Sequence, residues 1–160
     1  MDISFDVKNS KGDHIMVALS YYDVEAISVF TDDPCVLTLM FYDVTLVRKA
    51  GNGYVGYKTL FTVSDILAKF LADNDNAVLC FYCDSTHPIK RSHKQLLPQE
   101  YRSKLFTKMF DIYMRSGKIK GFINHCVKIA DPENPQFAHF ICREEHKDSV
   151  LALGRLLMEK

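Results

Sequence analysis

Val78-Leu79-Cys80-Phe81-Tyr82-Cys83 is the longest clearly apolar run in the chain. Its β-branched and aromatic residues favour a strand, and a strand that is apolar at every position is usually covered on both faces. Its six residues are too few to cross a bilayer, which takes about 20. The run therefore predicts a central strand with other elements packed on both sides of it.

The part of the chain before this run is predicted to consist mainly of strands. Asn9–Gly12 and Gly51–Gly53 have the composition of hairpin turns. A glycine-flanked asparagine can instead approach a phosphate, but that use requires a helix to follow it. The strands expected in this part are Ile3–Val7, His14–Leu19, Val36–Tyr42, Val44–Arg48 and Tyr54–Phe61.

Helices are predicted where apolar residues recur at steps of three and four. The first contains Ile66–Leu71, with Thr62 or Ser64 as its cap and Asp73 near its end. The second runs from Pro98 to Arg115, because proline suits a first helical turn and Gly117 suits the position beyond the last. The third covers about Glu145–Met158.

The last strands, Ile119–Ile129 and Phe137–Cys142, are expected to form a hairpin around the loop that contains Pro132 and Pro135. The order of elements is then a strand meander, helix, strand, helix, hairpin and helix. This order predicts an α+β fold with a largely antiparallel β-sheet and about three α-helices packed on it. No long linker interrupts the chain, so residues 1–160 are expected to form a single domain.

Composition narrows the class of protein. The chain has 160 residues, 48% of them hydrophobic, with 20 basic and 20 acidic side chains. Zero net charge argues against a protein whose whole surface binds nucleic acid or anionic lipid. The first residues show no secretory signal pattern, and an odd number of cysteines, five, suits free thiols in a reducing compartment. We therefore expect a cytoplasmic protein with no membrane partner.

The central strand and the second helix carry a family resemblance. The segment Leu79–Ser85 is an apolar strand ending in Cys-Asp and a polar residue, and the helix carries Arg102, Phe106 and the pair Met109-Phe110. This arrangement resembles a family of small Bacteroidetes proteins classified only as a domain of unknown function. Met109 stands where that family frequently has tryptophan, and Phe137–Arg143 is similar to its final strand. The resemblance covers roughly residues 55–160 and implies a fold and a bacterial source, but no known activity.

The exit of the central strand is the first candidate site. Loops at strand ends vary over a rigid base, so ligand sites collect there. Asp84 and His87 are candidates for acid–base chemistry, and Arg102 is a candidate for binding an anion. The alternative is structural, with Asp84 binding loop amides or pairing with Arg102.

Cys80 and Cys83 have the spacing of two zinc ligands, with His87 and His93 as possible further ligands. On a strand, however, residues three apart point to opposite faces, so these two thiols are expected to diverge. The sequence therefore predicts core thiols, with no metal and no cofactor.

A basic cluster follows the central strand. Its candidate binding residues are Arg91, Lys94, Arg102, Lys104 and Lys108. Such a patch suits phosphate contacts, but Phe106, Phe110 and Tyr113 lie on the apolar stripe of the helix and are not free to stack on bases. Nucleic acid is therefore a possible partner that is not favoured.

Two histidines form the last candidate site. Symmetric closure of the final hairpin places His125 opposite His139, close enough to share a proton, water or metal. A slip of one residue in register separates them.

The sequence contains no recognisable catalytic motif. The leading hypothesis is a non-enzymatic protein-interaction or regulatory module, which binds a protein partner or forms a homodimer through a sheet edge. The alternatives are polyanion binding through residues 87–108, and an enzyme with a strand-end pocket at Asp84, His87 and Arg102.

Overall fold

The computed structural model describes residues 2–29, 31–51, 57–83, 97–129 and 135–158. Within these ranges the strands are β1 (Ile3–Lys8), β2 (His14–Tyr22), β3 (Met40–Ala50), β4 (Ala77–Cys83), β5 (Phe122–Ile129) and β6 (Gln136–Arg143). The α-helices are α1 (Val24–Ser28), α2 (Pro34–Leu37), α3 (Tyr57–Asp73), α4 (Pro98–Arg115) and α5 (Lys147–Met158). A 3₁₀ turn, Glu144–His146, leads into α5. The predicted α+β class is confirmed, and α1 and α2 are short helices that the sequence did not suggest.

The six strands form one mixed sheet in the order β1-β2-β3-β4-β6-β5. All neighbours are antiparallel except β3 and β4, which are parallel. The apolar run therefore lies inside the sheet, as predicted, and Val78 and Leu79 at its start are buried. Because β4 and β5 are both antiparallel to β6, they run in the same direction, and α4 connects them across β6.

Helices cover the sheet on both faces. On one face, Leu67, Phe70 and Leu71 of α3 pack on strand residues such as Leu19 and Leu79, with the apolar stripe of α4 beside them. On the other face, α2 and α5 pack on the start of β3 and on β4, β5 and β6, burying Phe41, Val78, Phe140, Val150 and Leu153. Along β3, β4, β5 and β6, alternate residues supply the two cores, which is the period of an extended chain.

The expected strand Tyr54–Phe61 is wrong for residues 57–61, because α3 begins at Tyr57. Residues 54–56 lie outside the described residues, and Val44–Arg48 is paired with β2 instead. Thr62 and Ser64 do not cap this helix. Their hydroxyls donate to main-chain carbonyls one turn earlier, those of Lys58 at 3.1 Å and Leu60 at 3.0 Å. The apolar period of α3 extends upstream through Val63, which is buried, so packing outweighs the β-propensity of the first turn.

The expected strand Val36–Tyr42 is also only partly correct. The Asp33 side chain accepts a hydrogen bond from Cys35 N at 2.9 Å, and Pro34 occupies the first turn of α2. This cap starts a helix where the β-branched residues indicated a strand. Strand β3 then begins at Met40 and continues to Ala50, absorbing Val44–Arg48.

Candidate functional site

The parallel pair β3 and β4 separates at its carboxyl end. The two strands are paired from Met40 opposite Ala77 to Asp43 opposite Cys80. Beyond that point β3 remains paired with β2, and β4 remains paired with β6. Diverging parallel strands leave a crevice beyond their carboxyl ends, which is where ligands bind in many open sheets.

A cavity of about 620 Å³ lies at this divergence, between the sheet, α3 and α4. Most of its lining is apolar. Val63 and Leu67 line it from α3, Phe106 and Met109 line it from α4, and Phe81 lines it from β4. This size and lining are typical of small-molecule sites.

The helix α4 forms one long wall of the cavity. Arg102, Leu105, Met109 and Tyr113 line it from successive turns, at steps of three and four residues. At a rise of about 1.5 Å per residue, the wall from Arg102 to Tyr113 is about 16 Å long. The cavity is therefore elongated along the helix.

At the Tyr113 end, polar groups bind one another and join the two helices. The Tyr113 hydroxyl donates to Asp65 Oδ1 at 2.7 Å, and Lys118 Nζ donates to the same oxygen at 3.1 Å. The hydrogen bond from Tyr113, followed by Lys118, lowers the pKa of Asp65 although its partial burial opposes this. Burial, with the Asp65 carboxylate nearby, raises the pKa of Tyr113 to about 12. We call these three residues the clamp.

At the other end, the lining is more exposed and includes the charged Arg102. Leu46 is 46% exposed and Leu105 is 37% exposed, so this end is the opening of the cavity among the described residues. Cys83 lies beside Arg102, and burial raises the pKa of its thiol to about 11 despite the opposing charge of Arg102. The Cys83 side chain is therefore a protonated, weakly nucleophilic thiol at neutral pH.

Among the three predicted strand-end residues, only Arg102 lies in the part of the chain that the structure describes. It lines the cavity and has a partner of its own elsewhere in the chain. Asp84 and His87 lie outside the described residues, so their predicted acid–base role stays a prediction.

Beside the cavity, a second polar arrangement joins α4 to the last two strands. His139 is fully buried, its Nδ1 lies 2.9 Å from Asn124 Oδ1, and its Nε2 lies 2.9 Å from Ser103 Oγ. The Asn124 oxygen can only accept, so Nδ1 carries the proton and the Ser103 hydroxyl donates to Nε2. Cys126 Sγ lies 3.5 Å from Ser103 Oγ. We call His139, Asn124 and Ser103 the buried network, and the exposed Cys126 lies at its edge.

The buried network has the order of an Asn-His-Ser catalytic triad, but its surroundings are those of a structural contact. Ser103 is 6% exposed and His139 is 0% exposed, and neither lines the cavity. The Phe106 ring lies 4.7 Å from the His139 ring and 4.5 Å from the Phe81 ring, between the network and the cavity. Gln99 also fixes α4 on this side, because its Nε2 donates to Pro135 O at 3.0 Å.

The predicted pairing of His125 with His139 is wrong by one residue of register. His125 pairs with Phe140, and Cys126 pairs with His139. Because a one-residue shift moves a side chain to the other face, His125 packs under α5, near Gly154, while His139 faces α4. Burial, followed by the charge of Arg155, lowers the pKa of His125.

The two thiols of the central strand diverge, as predicted. Cys80 packs in the core beneath α2 and α5, whereas Cys83 lines the cavity on the opposite face. In the described part of the chain, no group of three or more His, Cys, Asp or Glu side chains is arranged to hold a metal ion.

The basic cluster is divided between two environments. Lys104 and Lys108 are exposed, whereas Arg102 lines the cavity. Arg91 and Lys94 lie outside the described residues. Phe106 and Phe110 pack against the core and Tyr113 is buried, as the apolar stripe predicted.

Comparisons with known proteins do not assign the chain to a family. No protein-family model matches the chain, and no curated protein matches it significantly. The resemblance to the Bacteroidetes family therefore stays a prediction. Within the described ranges, no helix has the length and apolar character needed to cross a membrane.

Proposed function

We propose that this protein is a non-enzymatic regulatory module that binds an apolar ligand in the cavity between α3 and α4. The observation that supports this proposal is the cavity itself, about 620 Å³ with a mostly apolar lining. Burying an apolar group there releases water from both surfaces, at roughly 25 cal/mol for each Å² buried. A ligand that binds only the folded chain also stabilises it, which is a simple basis for regulation.

Binding suits the side chains around the cavity better than catalysis does. The Cys83 thiol is protonated at neutral pH because burial raises its pKa to about 11. The Ser64 hydroxyl, which also lines the cavity, is engaged with its own helix at Leu60 O. An enzyme at Asp84, His87 and Arg102 is the alternative, and it requires the first two side chains to converge on the third.

Nile red, a neutral dye that fluoresces in apolar surroundings, tests the proposal. We expect the wild-type chain to bind it saturably at one site. The chain has no tryptophan. Each of the two variants that follow therefore carries a single indole ring, placed at one side of the opening of the cavity. Leu105→Trp and Leu46→Trp, each at a partly exposed position, should weaken dye binding by about tenfold or more, because the larger ring fills space that the dye occupies.

Val29→Trp is the matched control, because Val29 is 72% exposed and lies outside the cavity lining. It should leave the affinity for Nile red unchanged. Equal affinities in the wild type and both opening variants would mean that the dye binds elsewhere, and the proposal would then fail.

A protein partner is the second candidate, and the exposure of the opening favours it. Leu46 and Leu105 can receive an apolar side chain from another protein as readily as they admit a small molecule. In that case Leu105→Trp should abolish capture of a stoichiometric protein partner, whereas Val29→Trp should retain it.

A further inference from the structure

The described residues that line the cavity include two charged side chains. Among the described lining residues, the ionisable carboxylate and guanidinium groups belong to Asp43 and Arg102. Asp43 neighbours Tyr42 and Val44, which belong to the core under α3, so strand alternation turns its own side chain to the other face. Arg102, which also has a partner within the chain, is therefore the charged side chain of the described lining that lies on the cavity face.

At the opposite end, the polar groups of the described residues are engaged with one another. The Tyr113 hydroxyl is already bound to Asp65, and Lys118 is bound to the same carboxylate. Between the clamp and Arg102, the wall of α4 presents Leu105, Phe106 and Met109 over about 16 Å. A ligand that matches this cavity has an apolar body and one polar end.

Because Arg102 is positively charged, it favours a negative charge on the polar end of the ligand. Arg102 has a partner within the chain, but a guanidinium carries five N–H donors and can bind a second acceptor. Carboxylates match its planar donors in bidentate fashion, and hydrogen bonds between charged groups are stronger than neutral ones.

We infer that the ligand is a single-tailed amphiphile, with its apolar tail in the cavity and an anionic carboxylate head at Arg102. This inference rests on the proposed function, because it assumes that the cavity admits an apolar tail. To the proposed function it adds three properties of the ligand, namely its polarity, the sign of its charge and its orientation in the cavity.

Displacement of Nile red by three twelve-carbon probes of equal tail length tests the inference. The probes are dodecanoate, dodecan-1-ol and dodecylamine, each used below its aggregation concentration. We expect dodecanoate to bind the wild-type chain about tenfold or more tightly than the alcohol, and the amine to bind more weakly than both. Arg102→Gln should reduce the preference for dodecanoate to about unity and leave the affinity for dodecan-1-ol unchanged.

Lys108→Gln is the matched control, because it removes a positive charge from an exposed position on the same helix. It should preserve the preference for dodecanoate. A preference that falls equally in both variants would indicate general attraction to a basic helix and would overturn the inference. Equal binding of acid and alcohol in the wild type would also overturn it, although the cavity proposal would stand. Failure of Nile red and all three probes to bind would refute the proposed function itself.

Discussion

His139 has both ring nitrogens engaged in the buried network, so protonation must rearrange that network. A proton on Nε2 would force the Ser103 hydroxyl to accept instead of donate. Burial, followed by the charge of His125, lowers the pKa of His139 to about 4. The folded chain therefore holds the neutral imidazole at a pH where the unfolded chain binds a proton.

This difference predicts a pH-dependent stability. The contribution of His139 is fully present above its unfolded pKa of about 6.5, is lost as pH falls, and levels off below about 4. The total loss is roughly 3 kcal/mol, from about 1.4 kcal/mol for each pKa unit. Urea unfolding at pH 7.5 and pH 4.5 measures it, with His139→Gln as the comparison. The stability difference between the two chains should shrink on acidification, and a constant difference would contradict the assignment.

The partners of His139 explain why the sequence did not reveal the buried network. Asn124 is 15 residues away and Ser103 is 36 residues away, and they come from different elements. Alternation placed His139 on an apolar face, but the register of β5 against β6 decides which side chain lies beside it. That register depends on how the loop between β5 and β6 closes the hairpin, which the sequence does not specify.

At the scale of elements, the clamp holds α3 and α4 together across one end of the cavity. The Phe61 and Tyr113 rings lie 6.3 Å apart, next to the hydrogen bond between Tyr113 and Asp65. The carboxylate acceptor makes this bond stronger than a neutral one. The spacing of the two helices therefore depends on a few side chains at this end.

Tyr113→Phe removes the hydroxyl and keeps the ring. We expect the free energy of unfolding to fall by about 1–2 kcal/mol, because a hydrogen bond to a charged group contributes about 1.5–3 kcal/mol and the Asp65 side chain is half-exposed. The pKa of Asp65 should rise, because the strongest cause of its lowering is lost. Thermal unfolding and NMR titration measure the two effects.

Lys118→Gln is the control for this prediction. The Lys118 side chain is 54% exposed, and surface ion pairs contribute about 1 kcal/mol or less. Its effect on stability should therefore be smaller than that of Tyr113→Phe. The reverse order would show that the ion pair, and not the hydroxyl, holds the clamp.

Helix boundaries could be predicted where local signals agree. The range Pro98–Arg115 matches α4 because proline at the start, a long apolar stripe and Gly117 all indicate the same helix. The start of α3 was missed because Tyr57–Phe61 is rich in β-formers that become helical through packing. Sequence reasoning singled out Arg102, which lines the cavity, but it did not predict the cavity itself, whose walls come from separate helices and strands. The strand-end role of Asp84 and His87 stays a prediction.

At the scale of the whole molecule, the sheet consists of two antiparallel sets of strands. One set is β1-β2-β3, the other is β4-β6-β5, and the parallel ladder of β3 and β4 joins them. This ladder extends over four residues of each strand, Met40–Asp43 and Ala77–Cys80. The core under α3 crosses the junction, with Leu19 on one side and Leu79 on the other.

The short junction has a consequence for amide hydrogen exchange. Fewer bonds must break to separate β3 from β4 than to separate β2 from β3. Deuterium should therefore enter at the amides that bond across the junction through openings smaller than global unfolding. An occupant of the cavity touches both sides of this junction, and its binding should slow deuterium uptake there more than in the β1-β2 hairpin. The junction between the two halves of the sheet would then be the region whose hydrogen exchange reports whether the cavity is occupied.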